Sequence, residues 1–270
     1  MIQKILFRDT ELSYNREGNG PAAVLVHGFP QSSEVWKDFT KELSKEFTVI
    51  TPDLPGHGLS GLPENLSTME GYADAVHSVV SHSGIKQFTL IGHSMGGYIS
   101  LAFAKKFQGE NLLKGIGLFH STVFADSDEK KTGRNRSIEA VKKDRAGFSA
   151  ELIPNLFAKE NITRCAEGIN TLKKIAQQTT AESMVASLTA MRDRSDSSDF
   201  ANETSLPFLF IMGKNDNSVP FDKNFIITSF PKKSFTLLLD NVGHSGFFEA
   251  RDETLFAVRN FLKFCNGDFK

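Results

Sequence analysis

Short runs that are apolar at nearly every position recur along the chain and stop abruptly at glycine, histidine, proline or aspartate. Ala22-Ala23-Val24-Leu25-Val26 stops at His27-Gly28, Phe47-Thr48-Val49-Ile50-Thr51 at Pro52-Asp53, and Gln87-Phe88-Thr89-Leu90-Ile91 at Gly92. Gly115 to Phe119, Pro207 to Met212 and Ser234 to Leu239 continue the series. A strand with one wet face alternates apolar and polar side chains, whereas a strand covered on both faces does not. These segments therefore predict buried strands of a parallel sheet. Helical spacing fills the intervals. Ser67 to Ser81 predicts a helix with Ser67 as N-cap and Glu70 three residues on, a capping box. Tyr98 to Phe107 places Leu101, Ala102 and Phe103 at helical spacing, with Lys105 and Lys106 in the last turn. Thr254 to Cys265 closes the chain with Leu255, Phe256, Val258, Phe261 and Leu262 on one broad stripe. Strands alternating with helices define the α/β class, a sheet covered on both sides.

The middle of the chain breaks this rhythm. From Ser121 to Asn202 no buried strand is predicted, but helical stretches are; Glu182 to Arg192 carries Met184, Val185, Leu188 and Met191 at helical spacing. Such a length is too great for a loop. The chain thus divides into a first core segment (1–120), a helical insertion (121–202) and a second core segment (203–270).

Composition narrows the class of partner. Among 270 residues, 40% are hydrophobic and 23% charged, as expected of a globular protein with a substantial core. The net charge of −1 gives no electrostatic reason to expect nucleic acid or an anionic membrane. Arg8 and Asp9 interrupt the N-terminal apolar run before it reaches signal-peptide length, and no stretch approaches a membrane span. Cys165 and Cys265, far apart, fit free thiols of a reducing compartment better than a metal cluster or a disulfide framework. A cytoplasmic protein acting on a small molecule, as a monomer or homodimer, is the resulting expectation.

Candidate chemistry sits at the ends of the predicted strands. Gly92-His93-Ser94-Met95-Gly96 has the form G-x-S-x-G between a predicted strand and a predicted helix, the context of a strained turn that exposes a serine nucleophile. Asp216, in Gly213-Lys214-Asn215-Asp216, follows another strand, on the rim where ligands of parallel sheets bind. Asp240 competes for the same role but lies only four residues before His244, with little chain to reach it independently. His244, in Val242-Gly243-His244-Ser245-Gly246, follows the last strand and is the candidate base. His27-Gly28-Phe29-Pro30 ends the first buried strand; the backbone N–H groups of Phe29 and Met95 are the candidate donors to a developing oxyanion. His120, where the insertion begins, is a candidate pocket-lining residue. His57 and His93 read as structural, and His77 and His82 as surface residues.

Together with Asp53-Leu54-Pro55-Gly56-His57-Gly58-Leu59-Ser60, these motifs occur in an order that resembles the α/β-hydrolase superfamily, in its small capped branch. The resemblance runs from about Leu12 to Phe264. It implies an eight-stranded, mostly parallel sheet with flanking helices and a helical cap after the sixth strand. It also implies nucleophile, acid and base roles for Ser94, Asp216 and His244, with neither metal nor organic cofactor. Hydrolysis of an ester or related acyl bond is the leading expectation. A carbon–carbon bond hydrolase would keep the same three residues, and a non-catalytic receptor or scaffold can keep them too. Dehalogenases and epoxide hydrolases of this fold carry Asp where Ser94 stands. Within the insertion, Lys130 to Arg145 holds seven Lys or Arg against Glu139 and Asp144: a solvated helix face, or a surface that draws an anionic substrate.

Overall fold

In the computed structural model, which describes residues 2–268, the apolar runs become strands sandwiched between helices. The eight strands are β1 (Ile2–Phe7), β2 (Thr10–Glu17), β3 (Ala22–Val26), β4 (Thr48–Pro52), β5 (Phe88–His93), β6 (Leu113–Phe119), β7 (Phe208–Gly213) and β8 (Ser234–Leu239). They form one sheet in the order β1-β2-β4-β3-β5-β6-β7-β8. β2 runs antiparallel to both neighbours, and every other pairing is parallel. Every residue of β3, β4, β5 and β7 is buried. Successive side chains point to opposite faces. Accordingly Ala23 and Leu25 join the core on one side with α1 (Lys37–Leu43), while Val24 and Val26 join the core on the other with α2 (Met69–His82) and α3 (Met95–Lys106).

Between β6 and β7 run α4 (Asp128–Leu152), α5 (Ala166–Gln178), α6 (Ala181–Asp193) and α7 (Ser198–Glu203). Ser127 and Thr180 cap α4 and α6 by accepting from the amides of Lys130 and Ser183. Asp144 leaves helical geometry (φ −154°, ψ 87°) and kinks α4, its carboxylate accepting from the Gly147 amide to restart the helix. Ile138 and Val141 of α4 pack with Met184, Leu188 and Met191 of α6. Two single turns, α8 (Phe221–Asn224) and α9 (Gly246–Glu249), precede the closing α10 (Arg251–Cys265). Both cysteines are free thiols. Among the described residues no helix is long and apolar enough to cross a membrane.

Three local expectations need correction. Thr68, not Ser67, caps α2, because it is the extended residue whose hydroxyl accepts from the Gly71 amide. The segment Ser234–Leu239 is not buried through its length: as β8 it forms the sheet edge, and Phe235 and Leu238 remain partly exposed. Phe256 is 64% exposed, one position off the stripe that Leu255, Val258, Phe261 and Leu262 bury. The hairpin β1–β2 has no counterpart in the apolar runs, because β1 is an outer strand with mostly exposed or half-exposed positions.

Under the rim where β3, β5 and β6 end, an aromatic cluster forms the floor. The Trp36 ring lies 5.4 Å from Phe39 and 5.7 Å from both Phe119 and Phe247, all within the buried core. Phe119→Ala should lower the unfolding free energy in urea by about 3–5 kcal/mol, the usual loss for an aromatic ring removed from a packed core.

Candidate active site

Register brings the strand ends to one level: Gly92 of β5 pairs with Val26 of β3 and with Leu118 of β6. The residues that follow these strands, and those that follow β7 and β8, therefore meet along one edge of the sheet. Ser94 sits between β5 and α3 with φ 50° and ψ −116°. Such a backbone costs a non-glycine residue about 1–3 kcal/mol and persists only where its surroundings over-determine it. Here the Ser94 amide donates to Phe119 O at 2.9 Å, and its carbonyl accepts from Ser121 Oγ at 2.8 Å and Gly97 N at 2.9 Å. The flanking glycines are required sterically. A Cβ on Gly92 would lie 2.1 Å from Gly96 O, and one on Gly96 would lie 2.4 Å from Val26 O.

Asp216 lies just beyond β7, almost fully buried. Its Oδ1 accepts from the amides of Ser218 (2.8 Å) and Val219 (2.9 Å), and its Oδ2 lies 2.7 Å from His244 Nδ1. Burial opposes ionisation of this carboxyl. The charge and hydrogen bond of His244, with the His120 ring close by, outweigh burial and hold its pKa well below the usual carboxylate range. An ionised Asp216 can only accept, so His244 Nδ1 carries a proton and Nε2 is the free basic nitrogen when the ring is neutral. Asp240 is elsewhere: it is exposed and pairs with Lys214 at 2.6 Å.

His244 is fixed through its backbone as well. Its amide donates to Leu156 O of the insertion (2.8 Å), and its carbonyl accepts from His93 Nε2 (2.8 Å). His93 thus does more than fill space. The turn aims it away from Ser94 and under the His244 peptide, where burial pushes its pKa well down and keeps it neutral. His120 is not on the cavity wall. It is fully buried behind the pair, with Nδ1 3.3 Å from Asp216 Oδ2 but without hydrogen-bond alignment, and burial lowers its pKa.

The Phe29 and Met95 amides, at the ends of β3 and β5, donate to no acceptor among the described residues. The turn that presents Phe29 is braced on both sides. Gln31 Oε1 accepts from the Gly28 amide, while His27 Nε2 accepts from the Leu54 amide at 3.0 Å and so leaves Nδ1–H to donate to Gly28 O. Asp53 holds the adjoining loop through the amides of Ser33 and Leu59. His57 is buried beside His27, and His77 stacks on Phe107. Burial lowers the His27 pKa to about 4 and that of His57 to about 3.

Glu249, on α9, has no motif to announce it. Its buried carboxylate accepts from the amides of Gly243 (3.0 Å) and Ser245 (3.1 Å), which flank His244. It also accepts from the Ala158 amide and Asn161 Nδ2 of the insertion, both at 2.8 Å. A carboxylate a few residues after a candidate histidine is the one sequence signal for it, and a weak one.

Ser94 and His244 line one cavity of about 640 Å³, within the usual range for small-molecule sites. No hydrogen bond joins their side chains here, as is common in unliganded sites. Phe29, Tyr98, Leu152, Leu156, Met191 and Val219 supply apolar wall. His120, Asp216 and His244 bring potential metal-ligand atoms within 4.8 Å of one another. The 2.7 Å contact between Asp216 and His244 is a hydrogen-bond separation, however, shorter than the ~3.3 Å between two ligands each about 2.0 Å from a tetrahedral zinc.

A strained serine after a central strand, and an aspartate–histidine pair on the same rim of a mostly parallel sheet, define an α/β-hydrolase architecture. The sequence profile of the alpha/beta hydrolase family matches residues 23–258, and the chain belongs to that family. A thermophilic esterase from Thermogutta terrifontis superposes with a TM-score of 0.91 at 31% identity, over 98% of this chain and 99% of that one. Pyrrolizixenacetamide deacetylase of Xenorhabdus hominickii is 24% identical over 97% of this chain and 98% of its own length. An uncharacterised Mycobacterium tuberculosis protein is 39% identical over 90 residues, which cover 33% of this chain and 26% of that protein.

Two expectations follow from the buried network. Glu249→Gln would turn an amide NH₂ toward backbone donors, lowering the urea unfolding free energy by about 1–3 kcal/mol. His57 is neutral when folded down to about pH 3, but an unfolded histidine binds a proton below about pH 6.5. The unfolded state then binds more protons, so stability should fall as pH drops from about 6.5 toward 3. His57→Gln should flatten that slope by roughly 1.4 kcal/mol per pH unit between about pH 4 and 6, measured by denaturant titrations across the range.

Proposed function

We propose that the protein is a serine hydrolase that cleaves an ester or related acyl bond of a small molecule. The observation that carries this reading is the Asp216–His244 hydrogen bond of 2.7 Å, with His244 and the strained Ser94 lining one cavity. In this reading His244 Nε2 takes the proton of Ser94 Oγ as the oxygen attacks the acyl carbon, and ionised Asp216 stabilises the imidazolium. The Phe29 and Met95 amides donate to the oxyanion, each such donor being worth about 2.7–4 kcal/mol in the transition state. The imidazolium then gives its proton to the leaving alcohol, and the acyl group stays on Ser94. Water repeats the sequence in reverse, with His244 as base, and releases the acid. The helices of residues 121–202 act as the cap that selects the substrate. Full-length similarity to an esterase and a deacetylase supports acyl transfer to water as the reaction class. Carbon–carbon hydrolysis would use the same residues, and no contact in the cavity favours it.

The test is steady-state hydrolysis of short p-nitrophenyl esters. Ser94→Ala should lower kcat by on the order of 10⁴-fold or more, and Asp216→Asn by about 10⁴-fold. A serine-directed phosphonate should label the wild type at Ser94 and leave Ser94→Ala unlabelled. Equal rates for wild type and Ser94→Ala would overturn the proposal.

A further inference from the structure

The positive charge of the insertion is not spread evenly on a solvated face. Arg136, Lys142 and Lys143 do point to water, but Lys130 and Arg134 line the cavity that holds Ser94 and His244. Arg194, at the end of α6, and Lys223, on α8, line it too, and Glu129 is the one acidic residue on that wall. Behind the wall, buried Asp126 lies 2.8 Å from Arg194 and 3.0 Å from Arg134, a single carboxylate shared by two guanidinium groups. The chain as a whole carries −1, so this excess of positive charge is local to the cavity.

The four cationic groups are not equivalent. Arg194 is spent on structure: it donates to the carbonyls of Met191 and Phe124, and its guanidinium lies over the Tyr98 ring at 3.9 Å. Arg134 engages Asp126 through Nε, and its two terminal nitrogens meet no acceptor among the described residues. Lys130 Nζ reaches only Ser218 O, at 3.4 Å, and Lys223 Nζ reaches no acceptor among the described residues. Arg134 therefore offers a fork of N–H donors, held in place by a buried carboxylate, at the wall of a half-enclosed cavity. That is the geometry that matches a carboxylate bidentately, and apolar walls strengthen the field it experiences.

We infer that the cavity binds esters carrying a second, free carboxylate, with Arg134 as its main partner and Lys130 and Lys223 beside it. The apolar wall of Phe29, Leu156 and Val219 suits a short hydrocarbon spacer between that carboxylate and the scissile bond. A half-ester of a short dicarboxylic acid has this form. The inference rests on the serine-hydrolase reading for its chemistry. The acyl C–O bond breaks, water supplies hydroxyl to the acyl carbon and hydrogen to the alcohol, and the product acid ionises to a dianion. The same dianion should bind the free protein as a product.

The experiment compares monomethyl succinate with methyl pentanoate, a neutral ester of similar length, by titrating released acid. Succinate binding is measured separately by calorimetry. In the wild type, kcat/KM should favour the charged ester by about tenfold or more, and Arg134→Met should cut that ratio by about tenfold. Lys223→Met, at an exposed position, should cut it less and serves if Arg134→Met fails to fold. Succinate should bind the wild type and bind Arg134→Met more weakly. Ser94-dependent hydrolysis without preference for the charged ester, and without succinate binding, would overturn the carboxylate subsite and leave the hydrolase reading standing. Arg134-dependent succinate binding without hydrolysis of either ester would do the reverse.

Discussion

The rim is built on one close approach, that of the turn after β5 to the end of β3. Gly96 lies so near the Val26 and His27 carbonyls that any side chain there would push the turn away. The same closeness lets α3 begin at Met95, immediately after Ser94, and leaves Ser94 in a conformation that only a tightly held serine keeps. Move this turn outward and Ser94 loses the Phe119 carbonyl and the Ser121 hydroxyl that hold its backbone. The burial of β5 on both faces, between β3 and β6, supplies the rigidity that the strained residue needs.

The second constraint is electrostatic. A carboxylate as buried as Asp216 would ordinarily prefer to be neutral. Two amides of its own loop and the His244 ring satisfy it instead, and the loop that donates them is tied to Lys130 of the insertion through Ser218 O. Four other groups of the site region, His27, His57, His93 and His120, are buried and resist protonation. The buried histidines around Asp216 thus add no positive charge, and the cationic side chains that a ligand meets are those of the cavity wall.

How much of this could be read from the chain depended on whether the signal was local. β3, β4, β5 and β7 were legible because strands covered on both faces are apolar throughout. β1 and β2 were not, since an antiparallel edge hairpin needs little apolar surface. α5 escaped notice although Ile169, Leu172, Ile175 and Ala176 repeat at helical spacing, because Cys165 offers no side-chain cap to mark its start. Ser94, Asp216 and His244 each stood in a recognisable turn after a strand. Glu249 did not, because its meaning comes from donors at positions 158, 161, 243 and 245, which only folding assembles. His120 was misplaced for a related reason: its position at a strand end was visible, but not that its ring turns inward behind Asp216.

Glu249 also bears on how such a chain can diversify. Half of the donors that neutralise its carboxylate come from the insertion, and the His244 amide itself leans on Leu156 O of that segment. The insertion is therefore not an interchangeable module laid over a finished framework. A transplanted segment of foreign sequence would have to bring equivalents of the Ala158 amide, the Asn161 side chain and the Leu156 carbonyl. Otherwise it would leave the histidine loop with a buried, undersolvated anion beneath it. Lys130, Gly133, Arg134 and Ser137, by contrast, line the cavity and take no part in this junction.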